Sequence, residues 1–143
     1  MNNEVLDAVD AMIREGISTE DINQAVHQKT LELGGIPAPL NFEGFPKSVC
    51  TSLNDIVCHG IPSKDVVLVN GDIINVDVTT IVDGYYADAS RMYCIGQVTP
   101  EARKLVDVTK ECLELSLKAV NPGAYLNEIG AIIQEHAEKN AFS

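Results

Sequence analysis

The sequence predicts an α+β fold in which helices pack on an antiparallel sheet, and it predicts roughly the first of two pseudo-symmetric halves. Three observations carry that reading. Residues Gly71 to Gly96 alternate apolar and polar side chains on either side of Asp83-Gly84, the pattern of a β-hairpin with a tight turn. Four further stretches repeat apolar residues at helical spacing. Finally, the segment from Gly16 to Val26 is echoed by Gly123 to Ile133, 107 residues further on. In both copies a glycine turn opens an amphipathic helix, with Asp21-Ile22 matched by Glu128-Ile129. The first copy runs on into a loop, His59 and the hairpin, whereas the second reaches Ser143 before any matching hairpin. Residues 1–143 are therefore expected to be a partial domain whose second half is absent from this chain.

In order, residues 1 to 15 read as a helix with Val5, Val9, Met12 and Ile13 on one stripe, ended by Gly16. Ser18 is placed to cap a second helix, with Glu20 and Asp21 in the first turn, where the helix dipole favours acids. That helix is expected to bury Ile22, Val26 and Leu33 and to stop at Gly34-Gly35. His27 lies on it and reads as a packing or surface residue. Residues Ile36 to Lys47, with three prolines and Gly44, read as a loop that carries two aromatic residues, Phe42 and Phe45. A short strand over Ser48–Ser52 and a turn at Asn54-Asp55 follow. On its residues alone, His59 in Cys58-His59-Gly60-Ile61-Pro62 reads as a satisfied core imidazole. After the hairpin, Thr99-Pro100 opens a long helix with a stripe from Ala102 to Val120, including Leu105, Cys112, Leu113 and Leu117. A last helix is expected to bury Leu126, Ile129, Ile132, Ile133 and His136.

The hairpin holds the most chemistry. With a two-residue loop at Asp83-Gly84, Val82 faces Tyr85, Thr79 faces Asp88 and Asp77 faces Ser90. Asp77 and Asp88 then share a face as diagonal neighbours, about 7 Å apart at the backbone. Two acids brought together inside a fold repel and lose hydration, so something must compensate. A divalent cation with oxygen ligands is one answer. The other is that Asp77 caps a local hydrogen-bond network while Asp88 is solvated near the turn.

Composition narrows the class. A formal net charge of −11 leaves no basic patch to offset phosphate repulsion, which argues against nucleic acid or an anionic membrane as partner. No apolar run approaches the length that spans a bilayer. The start, MNNEVLDAVDAM, has neither a basic nor an apolar leader region, so a cytoplasmic location is expected. Cys50, Cys58, Cys94 and Cys112 lack CxxC spacing and read as reduced thiols.

With these residues in view, the chain resembles the type I methionine aminopeptidases of the pita-bread metallopeptidase family. The likeness is densest over Gly44–Pro62 (GFPKSVCTSLNDIVCHGIP) and Asn70–Gly96 (NGDIINVDVTTIVDGYYADASRMYCIG). The resemblance implies removal of N-terminal methionine from nascent polypeptides by a hydroxide activated on two divalent metal ions (Mn, Fe, Co or Zn). It implies that Asp77 and Asp88 are metal ligands, Asp88 bridging both ions and Asp77 binding one through both oxygens. It makes His59 the catalytic imidazole that contacts the scissile amide, and Phe42, Phe45 and Cys50 the substrate-binding pocket for methionine. Glu43 stands where many members carry a histidine, and Asn54 with the Ile56 carbonyl falls near a monovalent-cation site in the family. One His and two Glu that complete the ligand set belong downstream of Ser143. On the resemblance, the 143 residues alone are expected to be inactive, with apolar surface exposed for self-association. The rival readings are a non-catalytic or truncated half-domain and a prolidase-like peptidase.

Overall fold

A computed structural model describes residues 1–143 and divides them into two compact units, Met1–Val98 and Thr99–Ser143. In the first unit, α1 (Asn2–Asp10) and α2 (Thr19–Glu32) precede a sheet of four strands, β1 (Ile36–Pro37), β2 (Cys50–Leu53), β3 (Ile73–Val82) and β4 (Tyr85–Cys94). The second unit consists of α3 (Pro100–Ala119) and α4 (Leu126–Lys139).

All strands pair antiparallel to β3. One edge of β3 is covered along its whole length by β4, in the register expected from the turn: Val82 opposite Tyr85, Thr79 opposite Asp88 and Asp77 opposite Ser90. The other edge is shared end to end, with β2 against residues 74–77 and β1 against residues 80–81. Asp83 adopts φ 51° and Gly84 φ 84°, the two left-handed residues that a hairpin turn of matching twist demands.

Alternation divides the sheet into two faces. Ile74, Val76 and Val78 are fully buried and join Val5, Leu6 and Val9 of α1, Ile22 and Val26 of α2, Val49 and Leu68 in one core. Arg91 and Tyr93 of β4 lie on the same face, opposite Val76 and Ile74. There Arg91 donates to Asp7 at 2.8 Å and to Asp10 at 2.5 Å, and the Tyr93 hydroxyl donates to Asp10 at 2.5 Å. Asp77, Thr79, Asp88 and Ser90 therefore occupy the face turned away from α1 and α2.

The helix caps follow sequence chemistry. Ser18 and Asp21 form a reciprocal capping box, the Ser18 hydroxyl accepting from the Asp21 amide at 3.2 Å and the Asp21 carboxylate accepting from the Ser18 amide at 2.8 Å. Thr99 accepts from the Ala102 amide at 3.1 Å, with Pro100 in the first turn. The internal echo is visible in the backbone as well. Both α2 and α4 span 14 residues, 107 positions apart, behind Gly16 at φ 89° and Gly123 at φ 91°.

Several expectations are corrected. α1 ends at Asp10, and only a hydrogen-bonded turn, with the Met12 and Ile13 amides on the Val9 carbonyl, continues its direction. Ile36-Pro37, read as loop, pairs with β3, and residues Phe42–Gly44 form a single 3-10 turn. The last helix buries none of its predicted stripe: Leu126 is 84% exposed and Ile133 38%. In that unit Val108, Cys112 and Ser116 of α3 are the buried positions, because a pair of helices has a single seam to cover. His136, expected in a core, instead meets Glu111 at 2.7 Å across the seam.

Candidate metal centre

The outward face of β3 and β4 forms the floor of a cavity of about 620 Å³, within the range of small-molecule and peptide pockets. Asp77 and Asp88 stand on that floor, and Phe42, Phe45, Cys50 and His59 are also in its lining. Four separate segments thus converge on one space: the 3-10 turn, the start of β2, the loop before Gly60, and the hairpin. All six residues singled out from the sequence are brought together.

Each is placed by its local backbone. Cys50 opens β2 directly opposite Asp77. His59 is exposed, with φ 55°, so the core-imidazole reading is overturned. Its position is fixed by the next residue. The Gly60 carbonyl accepts from the Thr51 amide at 2.8 Å, and the Gly60 amide donates to the Ser52 hydroxyl at 3.3 Å. The two backbones approach so closely that a Cβ on Gly60 would lie 2.1 Å from the Thr51 carbonyl oxygen. Only glycine fits there, and the chain is forced to present His59 over the cavity. Phe42, 68% exposed, and Glu43, at φ 48°, belong to the 3-10 turn at the rim.

Electrostatics distinguish Asp77 from an ordinary surface carboxylate. Burial above all, and then the charge and hydrogen bond of Asp88, raise the carboxyl of Asp77 above the usual range, with His59 pulling in the opposite direction. Asp88 itself is exposed, as the solvated reading of that residue expects, while its charge acts on the half-buried Asp77 beside it. No lysine or arginine lines the cavity, and Arg91 is engaged by Asp7 and Asp10 on the opposite face. Paired hard oxygen donors, the Asp77 one partly buried, that lack a cationic side chain fit a divalent metal ion. No group of three or more His, Cys, Asp or Glu side chains is gathered to hold one, so the donors present are this pair. The Cys50 thiol is pushed up to about 11, chiefly by burial and secondly by the Asp77 charge, which keeps it protonated and inert beside the acids.

Two hairpin residues of the cavity lining escaped the sequence reading: Thr79, and Tyr86 two residues from Asp88 towards the turn. The hairpin register carried the signal for both, because it puts them on the same face as the acids. Asn54 spends its side chain locally, donating to Asp72 at 2.9 Å and accepting from the Ile73 amide at 3.0 Å. None of the four cysteines is in a disulfide, and no helix is long and apolar enough to cross a membrane.

The model of metallopeptidase family M24 matches residues 1–143. Methionine aminopeptidase A of Synechocystis sp. is 52% identical over 139 residues, an alignment that covers 97% of this chain and 55% of that protein. The crystal structure of methionine aminopeptidase from Rickettsia prowazekii superposes with a TM-score of 0.93 at 46% identity, over 96% of this chain and 55% of that one. The prolidase from Pyrococcus furiosus shares the fold at a TM-score of 0.78, with 18% identity over 96% of this chain and 39% of that one. The chain spans about half the length of the curated relatives it matches.

Proposed function

Since the chain belongs to metallopeptidase family M24 and has the pita-bread fold of its solved relatives, we propose that its cavity is part of the active site of a metal-dependent aminopeptidase. The reaction is removal of the N-terminal methionine from new polypeptides, and residues 1–143 supply a portion of the peptidase domain. One observation carries this reading: acids, imidazole, thiol and aromatic rings from four segments line a single cavity, with the acids on its floor and Phe42 at its rim.

Asp77 and Asp88 would hold two divalent ions, of which Mn, Fe, Co and Zn all suit carboxylate ligation. When bound, such ions supply Lewis acidity to a water and to the scissile carbonyl. The rest falls to the protein's own groups. Phe42, Phe45 and the protonated Cys50 offer an apolar, polarisable lining to a thioether side chain, for which sulfur–aromatic contact is favourable. Burying that side chain fixes the register of the peptide, so that the first amide bond, and no other, reaches the acids. His59, held out over the cavity by its left-handed backbone, offers a ring N–H to the scissile amide, where charge develops during attack. Asp77 is positioned in advance by strand pairing on both sides, to β2 and β4, and Asp88 by pairing to β3, which reduces reorganisation in the reaction step.

The higher identity to methionine aminopeptidases favours that activity over prolidase chemistry. The test is a peptide assay on the gene product containing these residues, loaded with Mn²⁺ or Co²⁺. Release of methionine from Met-Ala-Ser, lost in Asp88→Asn, is expected. Cleavage before proline with Met-Ala-Ser untouched would support the prolidase-like alternative, and no turnover of either peptide the non-catalytic one.

A further inference from the structure

The wall of the cavity that runs from Phe45 towards Cys50 has space behind it at Pro46–Ser48. A second cavity, of about 390 Å³, lies between this wall and α2, lined by Asn23, His27 and Gln28 on the helix and by Leu40, Pro46 and Ser48 on the loop. Pro46 borders both cavities, so the segment is a partition with room on each side. A partition of that kind keeps its place only if something ties it.

The tie comes from one face of α2. Glu20, Asn23 and His27 recur at steps of three and four residues, the spacing that aligns side chains on a helix. Lys47 donates to Glu20 at 2.7 Å. The Ser48 amide donates to Asn23 at 2.8 Å, and Asn23 in turn donates to Glu20 at 3.2 Å. His27 Nδ1 meets the Ser48 hydroxyl at 2.8 Å. Ser48, only 2% exposed, is therefore gripped by both its backbone and its side chain. It stands two residues before Cys50.

We propose that His27 is a positioning residue: by holding Ser48 against α2 it keeps the Phe45–Ser48 part of the wall, which lies ahead of the strand-paired Cys50, from falling back into the space behind it, and so sets the depth of the apolar half of the substrate cavity. The part of this that concerns substrate rests on the aminopeptidase reading; the tie itself does not. A hydroxyl both donates and accepts, so the contact is kept whichever tautomer His27 adopts. An asparagine places its amide atoms two bonds beyond Cβ, where Nδ1 of the imidazole sits, and can make the same bond.

The experiment uses the gene product that contains these residues and its His27→Ala and His27→Asn variants. Amide hydrogen exchange is read residue by residue by NMR, together with binding of L-methioninamide and the line broadening that Mn²⁺ causes at Asp88. Loss of one ordinary hydrogen bond corresponds to about a fivefold or larger change in a local opening equilibrium. His27→Ala is therefore expected to speed exchange at Ser48 by about that factor, with Ile74, Val76 and Val78 of β3 unchanged. His27→Asn is expected to restore protection. Binding of L-methioninamide should fall in His27→Ala and recover in His27→Asn, while the Mn²⁺ effect persists in both. Unchanged exchange at Ser48 would overturn the proposal. So would acceleration shared by β3, or an asparagine variant as unprotected as the alanine one. If the unmutated chain does not bind L-methioninamide, the substrate reading fails, and exchange at Ser48 still decides whether the tie exists.

Discussion

Replacing Gly60 by alanine tests how the fold holds His59 over the acids. The added Cβ would sit 2.1 Å from the Thr51 carbonyl oxygen, 2.8 Å from its carbon and 3.1 Å from the Ser52 Cα. All three are backbone atoms of β2, which is locked to β3 by its ladder, so no flexible side chain can yield. The segment carrying His59 must move away. Two hydrogen bonds are then lost, from the Thr51 amide to Gly60 and from the Gly60 amide to Ser52, each contributing about 1 kcal/mol. Forced overpacking adds about 1–3 kcal/mol. Gly60→Ala should therefore destabilise the first unit by roughly 3–5 kcal/mol, a large share of the 5–15 kcal/mol typical of a folded domain. Urea unfolding followed by far-ultraviolet circular dichroism measures the loss, and the His59 ring resonances report its displacement from Asp77. Gly84→Ala is the control. Gly84 has open space around it, so its cost comes from φ 84° alone and should be about 1–2 kcal/mol. A change below about 0.5 kcal/mol in Gly60→Ala would refute the argument from close approach.

Three further outcomes are expected. Burial first, and then the Asp88 charge, raise Asp77, so its contribution to stability is complete below the unfolded-state pKa and is lost as pH rises through the higher folded value. Asp77→Asn should therefore raise the melting temperature of the metal-free chain at pH 7 and remove stabilisation by added Mn²⁺; a lowered melting temperature would contradict this. Glu20 behaves in the opposite sense. Burial pushes it up, but hydrogen bonds from Lys47 and Asn23 outweigh burial and hold it below its ordinary value of 4.5. Its contribution is present above that value and disappears as pH falls through the lower folded one, so Glu20→Gln should cost stability at pH 7 and little near pH ~3. On the proposed aminopeptidase reading, His59→Ala in the gene product containing these residues should lower kcat at least tenfold, about 1.4 kcal/mol of transition-state stabilisation. Metal content measured by elemental analysis should stay intact; its loss would show that His59 is a ligand and not a hydrogen-bond donor.

The hairpin was legible because every signal in it is local. Alternation from Ile74 to Val82 fixes the faces, and Asp83-Gly84 fixes the register, so the meeting of Asp77 and Asp88 follows from residues within one short stretch. The start of α2 was legible for the same reason, since Ser18 and Asp21 cap each other across three positions. What stayed hidden depends on partners far away in sequence. Ile36-Pro37 is a strand only because Ile81 and Thr80 lie beside it. His59 is exposed because Gly60 is bonded to β2, which nothing in Cys58-His59-Gly60 announces. On α4, the apolar period promises a buried face, yet burial depends on what lies opposite. His27 is the sharpest case: one imidazole on a helix looks like any other until Ser48 is found 2.8 Å away.

The closeness of the two acids along the chain has a consequence for assembly. Asp77 and Asp88 stand eleven positions apart and are joined by a two-residue turn, so they come together on the timescale of hairpin closure, about 1–10 μs. At that stage both are still wet, and water screens their repulsion to about 1 kcal/mol or less. The opposition grows only later, when the distant segments carrying Phe45, Cys50 and His59 settle beside Asp77 and remove part of its water. Divalent cations present during refolding should accordingly leave the formation of the hairpin untouched and accelerate the closing of the wall above it.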